Sequence, residues 1–426
     1  MSLYLRRDEA PTLPPPVRTG GAIGWLKENI FSGWVSGPLA LAFIALIVWV
    51  TPDLVRFFIL DAIWTADDGA ACRVPGTGAC WAFVERKLDF FRYGSYPVAQ
   101  HWRVDVVIML GTVLAARLLW PEGKKSGFGL FAFLFGIPLF IFLMIPGPAA
   151  IIREPSLELA ILAGGVALAC ALEFSRLRTL WVGLIFFVLY PLIGAYLLKG
   201  SPWLGLIQVD TNLWGGIFLS LLVATIGIVF SLPAGILLAM GRRSELPAVR
   251  FFSILYIEFV RGVPFITVLF MANTMLPLFV PDNWSPDRLM RPIVGFALFA
   301  AAYMAEEVRG GLQAIPKGQS EGAMALGLSY WQRMRLIILP QALTLVIPGI
   351  VNIFISLFKD TTLVAIVGIF DFLRAIDAAR IDPVWSGPTV SPTVYTFAAA
   401  FYFIFCFGMS RYSQMMEERL NAGRRR

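Results

Sequence analysis

Histidine is almost missing from this chain: of 426 residues only His101 carries an imidazole, and cysteine occurs four times. A zinc centre needs three or four converging thiolate, imidazole or carboxylate ligands, so no metal site is expected. Charge is scarce too. Asp, Glu, Lys and Arg make up 15% of the residues, against about a quarter in soluble domains, which argues against a set of soluble domains. No G-x-x-x-x-G-K-[ST] loop is present; the stretch GKKSG at 123–127 lacks the preceding glycine at that spacing, so this chain is not expected to bind ATP itself. Enzymes working inside the membrane need His, Ser or paired carboxylates converging within spans. A single His101 near a span end leaves that class without its base, and no catalytic residue is assigned. Residues 1–30 are polar, Pro-rich and basic and lack an apolar core with a small-residue cleavage site, so no cleavable leader is read.

What the chain has is apolar length. Hydrophobic residues make up 58% and mean hydropathy is +0.73. The expected fold is all-α, a polytopic transmembrane helical bundle of about ten spans near 34–51, 104–120, 128–146, 157–173, 179–198, 213–240, 250–275, 291–312, 343–358 and 394–412. Each is close to the roughly 20 residues that cross a hydrocarbon core. Trp102 and Trp120 bracket the second span as an aromatic belt would. The net charge of +7 is dispersed between spans, which speaks for membrane orientation and not for nucleic acid. Arg6, Arg7, Lys124, Lys125, Arg176, Arg178, Arg242, Arg243 and Arg250 fall on one side. Asp53, Asp61, Asp67, Asp68, Asp282, Asp287, Asp377 and Asp382 fall on the other. Positive residues stay inside, so both termini are expected in the cytoplasm.

The chain divides near residue 210. A cytoplasmic tail (1–33) precedes an N-terminal membrane region of about five helices (34–210); a five-span unit (211–412) and a basic tail (413–426) follow. Cys72 and Cys80 sit in a polar loop of the first region, with Pro75, Gly76 and Gly78 between them. On the outer side that loop is expected to close as a disulfide; two free thiols are the alternative.

The most informative stretch is 320–340, SEGAMALGLSYWQRMRLIILP, between two apolar segments. Ser320 reads as the cap of a short helix with Glu321 in its first turn. Gly327 offers the left-handed end, and Ser329 with Gln332 has the spacing of a capping box. Pro340 is expected to break the second helix. The result is a helix–turn–helix knuckle between spans, suited to docking on another protein.

The knuckle resembles the EAA loop of ATP-binding-cassette importer permeases: E-A-A, three residues, Gly, nine residues, then I-x-L-P. Glu321, Gly322, Ala323, Gly327, Ile337, Leu339 and Pro340 stand at those positions, with Gly322 replacing the middle alanine. Flanking segments at 256–270 (YIEFVRGVPFITVLF), 303–328 and 357–368 (LFKDTTLVAIVG) resemble permeases for polar amino acids, and with the long N-terminal region the chain looks like a subunit of a general L-amino-acid importer. The resemblance implies a type I importer core in 211–412, a bacterial inner-membrane location, and inward transport of L-amino acids with no chemistry in this chain. It implies partners: a second, homologous permease, a pair of ATP-binding subunits using ATP and Mg on the knuckle, and a periplasmic amino-acid-binding protein. An ATP-independent secondary transporter is the alternative; it calls for inverted repeats, and the two halves share no corresponding motifs.

Ionisable groups inside spans are costly and mark function or pairing. Glu258 and Arg261 lie one turn apart on the seventh span, and Glu306 and Glu307 near the end of the eighth. Arg261 is expected to pair with Glu258 or with a carboxylate of the eighth span, as a gate or as a static tie. Asn352, Ser356 and Lys359 share a face of the ninth span at i, i+4 and i+7. Asn352 and Ser356 are read as pathway candidates. Lys359 either meets a substrate carboxylate or snorkels to headgroups.

Overall fold

The apolar runs become helices because a backbone without water must satisfy its own N–H and C=O groups. A computed structural model describes residue 30 and residues 35–119, 155–174, 179–281 and 286–424. Thirteen helical runs organise the described residues. The first five belong to the N-terminal region: α1 (Ser36–Val55), α2 (Trp81–Tyr93), α3 (His101–Leu119), α4 (Pro155–Phe174) and α5 (179–199). The C-terminal half follows with α6 (Gly216–Arg242), α7 (Pro247–Gly262), α8 (Phe265–Phe279), α9 (Met290–Ala314), α10 (Lys317–Ala325), α11 (Tyr330–Val367), α12 (Phe372–Ala379) and α13 (Val390–Arg424). No strand occurs among the described residues; only isolated bridges form.

Six of these helices are long and apolar enough to cross a membrane, and seven if the bent pair α7–α8 counts as one span. The described residues thus do not confirm the reading of ten. Span 128–146 lies outside the described residues. In α4 the apolar part is confined to Ser156–Ala169. Helix α9 carries Arg291, Glu306, Glu307 and Arg309 within its length. Nor is the stretch 250–275 one straight helix. It bends by 108° between α7 and α8, where Gly262, Val263 and Pro264 interrupt the hydrogen-bond ladder.

Helix α6 forms the spine of the C-terminal half. Its small residues let α9 approach closely: a Cβ on Gly227 would enter the Phe296 ring, and one on Gly235 would sit 2.6 Å from Met304 Cβ. Helix α9 in turn meets α11, where a Cβ at Gly311 would come 2.6 Å from the Ala342 carbonyl oxygen. At the knuckle end, Arg243 Nη1 donates to the Leu312 carbonyl (3.1 Å), tying the end of α6 to that of α9.

Between α1 and α3 the chain builds a cap. Cys72 and Cys80 are joined as a disulfide, and both are fully buried. Backbone hydrogen bonds from Ile63 to Ala79, Gly78 to Asp61 and Ala79 to Phe57 close the loop around it. Tyr93 donates its hydroxyl to Asp105 (2.8 Å) and Tyr96 donates to the Leu198 carbonyl (2.8 Å), anchoring the cap on α3 and α5. His101 is buried, stacks on Tyr93 and contacts the Tyr96 carbonyl through Nε2 at 3.0 Å, a packing role.

Candidate functional site: the knuckle and the intramembrane cavity

The first helix of the knuckle starts earlier than its sequence suggests. Helix α10 begins at Lys317 behind Pro316, leaving Ser320 inside it and Glu321 in its middle. Proline pre-sets the backbone for a helix start, and here that outweighs the serine cap. The turn follows the local rules. Gly327 has φ +74°, Leu328 N–H donates to the Ala323 carbonyl and Gly327 N–H to that of Met324, the paired closure of a left-handed helix end. Ser329 and Gln332 form the reciprocal capping box, with Ser329 N–H donating to Gln332 Oε1 at 2.9 Å. Gly322 is exposed and an added Cβ would meet nothing within 4 Å.

Pro340 does not break the chain's second helix, contrary to the sequence reading. A wide π turn at Met334–Ile338 precedes it, and Leu339 N–H donates back to the Met334 carbonyl. The turn leaves room for a ring that has no N–H to offer, and helix Leu339–Asp360 continues directly. The knuckle's second helix and the ninth span are therefore one run, α11. Ala323 and Ile338 are buried, Ile337 and Leu339 half-buried. Met324, Leu326 and Trp331 project from the knuckle, Leu326 at 79% exposure. Gln341 Nε2 donates to Gln319 Oε1 (3.1 Å), holding α10 against α11.

Helices α7, α8, α9 and α11 line an open cavity of about 650 Å³. Arg261, Tyr303, Glu307, Asn352, Ser356 and Asp360 supply its polar lining. Asn352 and Ser356 thus share a cavity, as their spacing suggests. Lys359 is exposed and absent from the lining; Asp360, one residue on, takes that place. Glu307 and Asp360 make no ion pair among the described residues.

Arg261 sits at the cavity's edge between two environments. Its guanidinium lies 3.6 Å from Glu306 and packs over the Tyr303 ring. Glu258 pairs elsewhere, with Arg242 of α6 at 2.8 Å. Glu306 also pairs with Arg309 and lies 3.6 Å from Arg242. The result is a five-member charge cluster binding α6, α7 and α9. From sequence, Arg242 reads only as an orientation charge and Arg309 is not named, although their basic charge beside a cluster of span acids is the available signal. Glu306 and Glu307 are neighbours in sequence but do different things: one is locked among arginines, the other lines the cavity.

Comparison with known proteins sets this geometry in a family. Residues 231–421 match the binding-protein-dependent transport system inner membrane component. The chain is 41% identical to the inner membrane amino-acid ABC transporter permease protein YhdY of Escherichia coli K12, over 97% of each chain. It is 39% identical to the glutamate/glutamine/aspartate/asparagine transport system permease protein BztC of Rhodobacter capsulatus, over 99% of each chain. A crystal structure of an amino acid ABC transporter with histidines matches 48% of this chain and 92% of that one, at 26% identity and a TM-score of 0.42. A multi-pass permease of the inner membrane is the class defined by knuckle, bundle and family match together. Within that class, the chain belongs to the amino-acid ABC transporter permeases.

Proposed function

We propose that this chain carries polar L-amino acids inward through the cavity between α7, α8, α9 and α11, driven by ATP-binding subunits docked on its knuckle. The observation that carries the reading is the continuity of α11. The same helical run begins beside the exposed Trp331 and presents Gly349, Asn352, Ser356 and Asp360 to the cavity. A push on the knuckle moves the cavity wall without an intervening loop. The knuckle end is the cytoplasmic end and the cap end the periplasmic one, following the distribution of basic residues. Around this chain the reading places a second homologous permease, a pair of ATPases using ATP and Mg, and a periplasmic amino-acid-binding protein. Glutamate, glutamine, aspartate and asparagine are the first substrates to test, because BztC is named for them. Arg261 suits a substrate carboxylate, and Glu307 with Asp360 suits an α-ammonium group.

The test is uptake of radiolabelled amino acids by a strain lacking its own system and expressing this chain with its ATPase and binding protein. Uptake that requires ATPase activity and is lost in Gly327→Arg, with the chain still inserted, supports the reading. Uptake that persists without the ATPase would favour a secondary transporter.

A further inference from the structure

We propose that the disulfide-closed cap is a fixed clamp, holding the starts of α6 and α13 together with α12 as one rigid frame throughout the transport cycle. The inference rests on the functional reading above and goes beyond it, to how the N-terminal region takes part in transport.

Three kinds of contact converge on this junction. First, the backbone of both bridged cysteines is hydrogen-bonded to the first turn of α13 and to the residue just before it. Cys80 N–H donates to Thr393 Oγ1 at 2.9 Å, and Thr389 Oγ1 donates to the Cys72 carbonyl at 3.2 Å, both in buried positions. Thr393 in turn donates its own hydroxyl to the Thr389 carbonyl at 2.6 Å, so one side chain serves both partners. Second, aromatic rings interlock across it. Phe83 meets Trp385, and Phe91 meets both Phe372 and Phe397, with centroids about 6 Å apart. Third, backbone touches backbone. Gly94 has φ +66°, and a Cβ there would lie 2.5 Å from Gly215 Cα, beside the start of α6. At the rim, Lys87 Nζ lies 2.5 Å from Asp382 Oδ2.

Separating such a junction would strand buried hydrogen-bonding groups and expose a block of aromatic surface. Alternating access therefore proceeds through cheaper interfaces. The broken span offers one: along α7 only Ser253 and Ile257 are buried. Because the clamp is closed by a disulfide, its grip also depends on an oxidising outer compartment.

The experiment uses the full transport complex in liposomes with a short bismaleimide joining Lys87→Cys to Asp382→Cys. The clamp requires equal cross-linking yield in nucleotide-free and vanadate-trapped complexes, and unchanged amino-acid uptake after cross-linking. A several-fold fall in yield in either state, or uptake blocked by the cross-link, overturns it. If that pair does not assemble, Arg73→Cys with Ser386→Cys tests the same junction, since Arg73 Nη1 reaches the Ser386 carbonyl at 3.4 Å. In the unsubstituted protein, reduction of Cys72–Cys80 is expected to lower uptake several-fold and reoxidation to restore it; uptake indifferent to reduction counts against the clamp. A wild-type complex that transports no amino acid would sink the functional reading alone, because cross-linking yield judges the clamp without any uptake.

Discussion

Gly349 leaves the space that the Glu307 carboxylate occupies: a Cβ at that position would overlap the carboxyl carbon and Oε1. The glycine follows Pro348 inside α11, so a point of low helix propensity coincides with the place where α9 presents an acid to the cavity. Gly349→Ala should displace Glu307 or push α9 away from α11, costing about 1–3 kcal/mol of strain. The expected outcome is an assembled complex with slower uptake, measured by initial rates beside a thermal-stability assay. Unchanged rates would show that Glu307 does not need that position.

Two exposed glycines of the knuckle, Gly322 and Gly327, should behave oppositely. Gly322 lies inside α10 with open space around it, so Gly322→Ala should stabilise the helix by about 1 kcal/mol and leave assembly intact. Gly327 holds a left-handed turn, which costs an alanine about 1–2 kcal/mol. Gly327→Ala should reduce the amount of ATPase subunit that co-purifies, while Gly322→Ala should not.

Glu306 is the acid shared by Arg242, Arg261 and Arg309. Glu306→Gln leaves three half-buried guanidiniums with only Glu258 beside them. Loss of about 1–3 kcal/mol in stability is expected, read as a lower melting temperature in detergent. Adding Arg309→Gln should recover part of the loss, as coupled charges do.

Two carboxylates at the cap end give pH dependences of opposite sign. Burial of Asp371 pushes its carboxyl from the ordinary 3.8 up to about 7. The folded state therefore favours the protonated form; this contribution is complete below about pH 4 and is lost as pH rises through 7. Asp371→Asn should remove that decline and, through its side-chain oxygen, still cap α12, whose Leu373 and Arg374 N–H groups Asp371 accepts. Asp382 runs the other way. The hydrogen bond from Lys87 holds its carboxyl below the ordinary range, so its contribution is present above that range and lost as the medium is acidified. Melting curves of wild type, Asp371→Asn and Lys87→Met across pH 3–8 separate the two, the Lys87 variant losing only the acid-side dependence.

What the sequence determined by itself is local or bulk in origin. Membrane character follows from apolar length, because hydrocarbon admits only self-satisfied helices. The turn at Gly327 and the capping box of Ser329 and Gln332 need a few neighbouring residues and nothing else. The Cys72–Cys80 closure spans eight residues, short enough to be read from the turn formers between them.

The tertiary structure decided whatever depends on distant chain or on competition between local rules. Pro340 was expected to end a helix, but the π turn before it absorbs the ring, so the knuckle and cavity wall became one helix. Ser320 lost its cap to Pro316 for a similar reason. Arg261 had Glu258, Glu306 or Glu307 to choose from, and the packing of α7 on α9 gave it Glu306 and left Glu258 to Arg242. Lys359 and Asp360 are adjacent in sequence, and only the rotation of α11 against its neighbours turned Asp360 into the cavity. The grip of the cap joins Cys80 to Thr393 across 313 residues. No periodicity reports such a pairing, because it is fixed by how whole helices pack and not by the residues beside either partner.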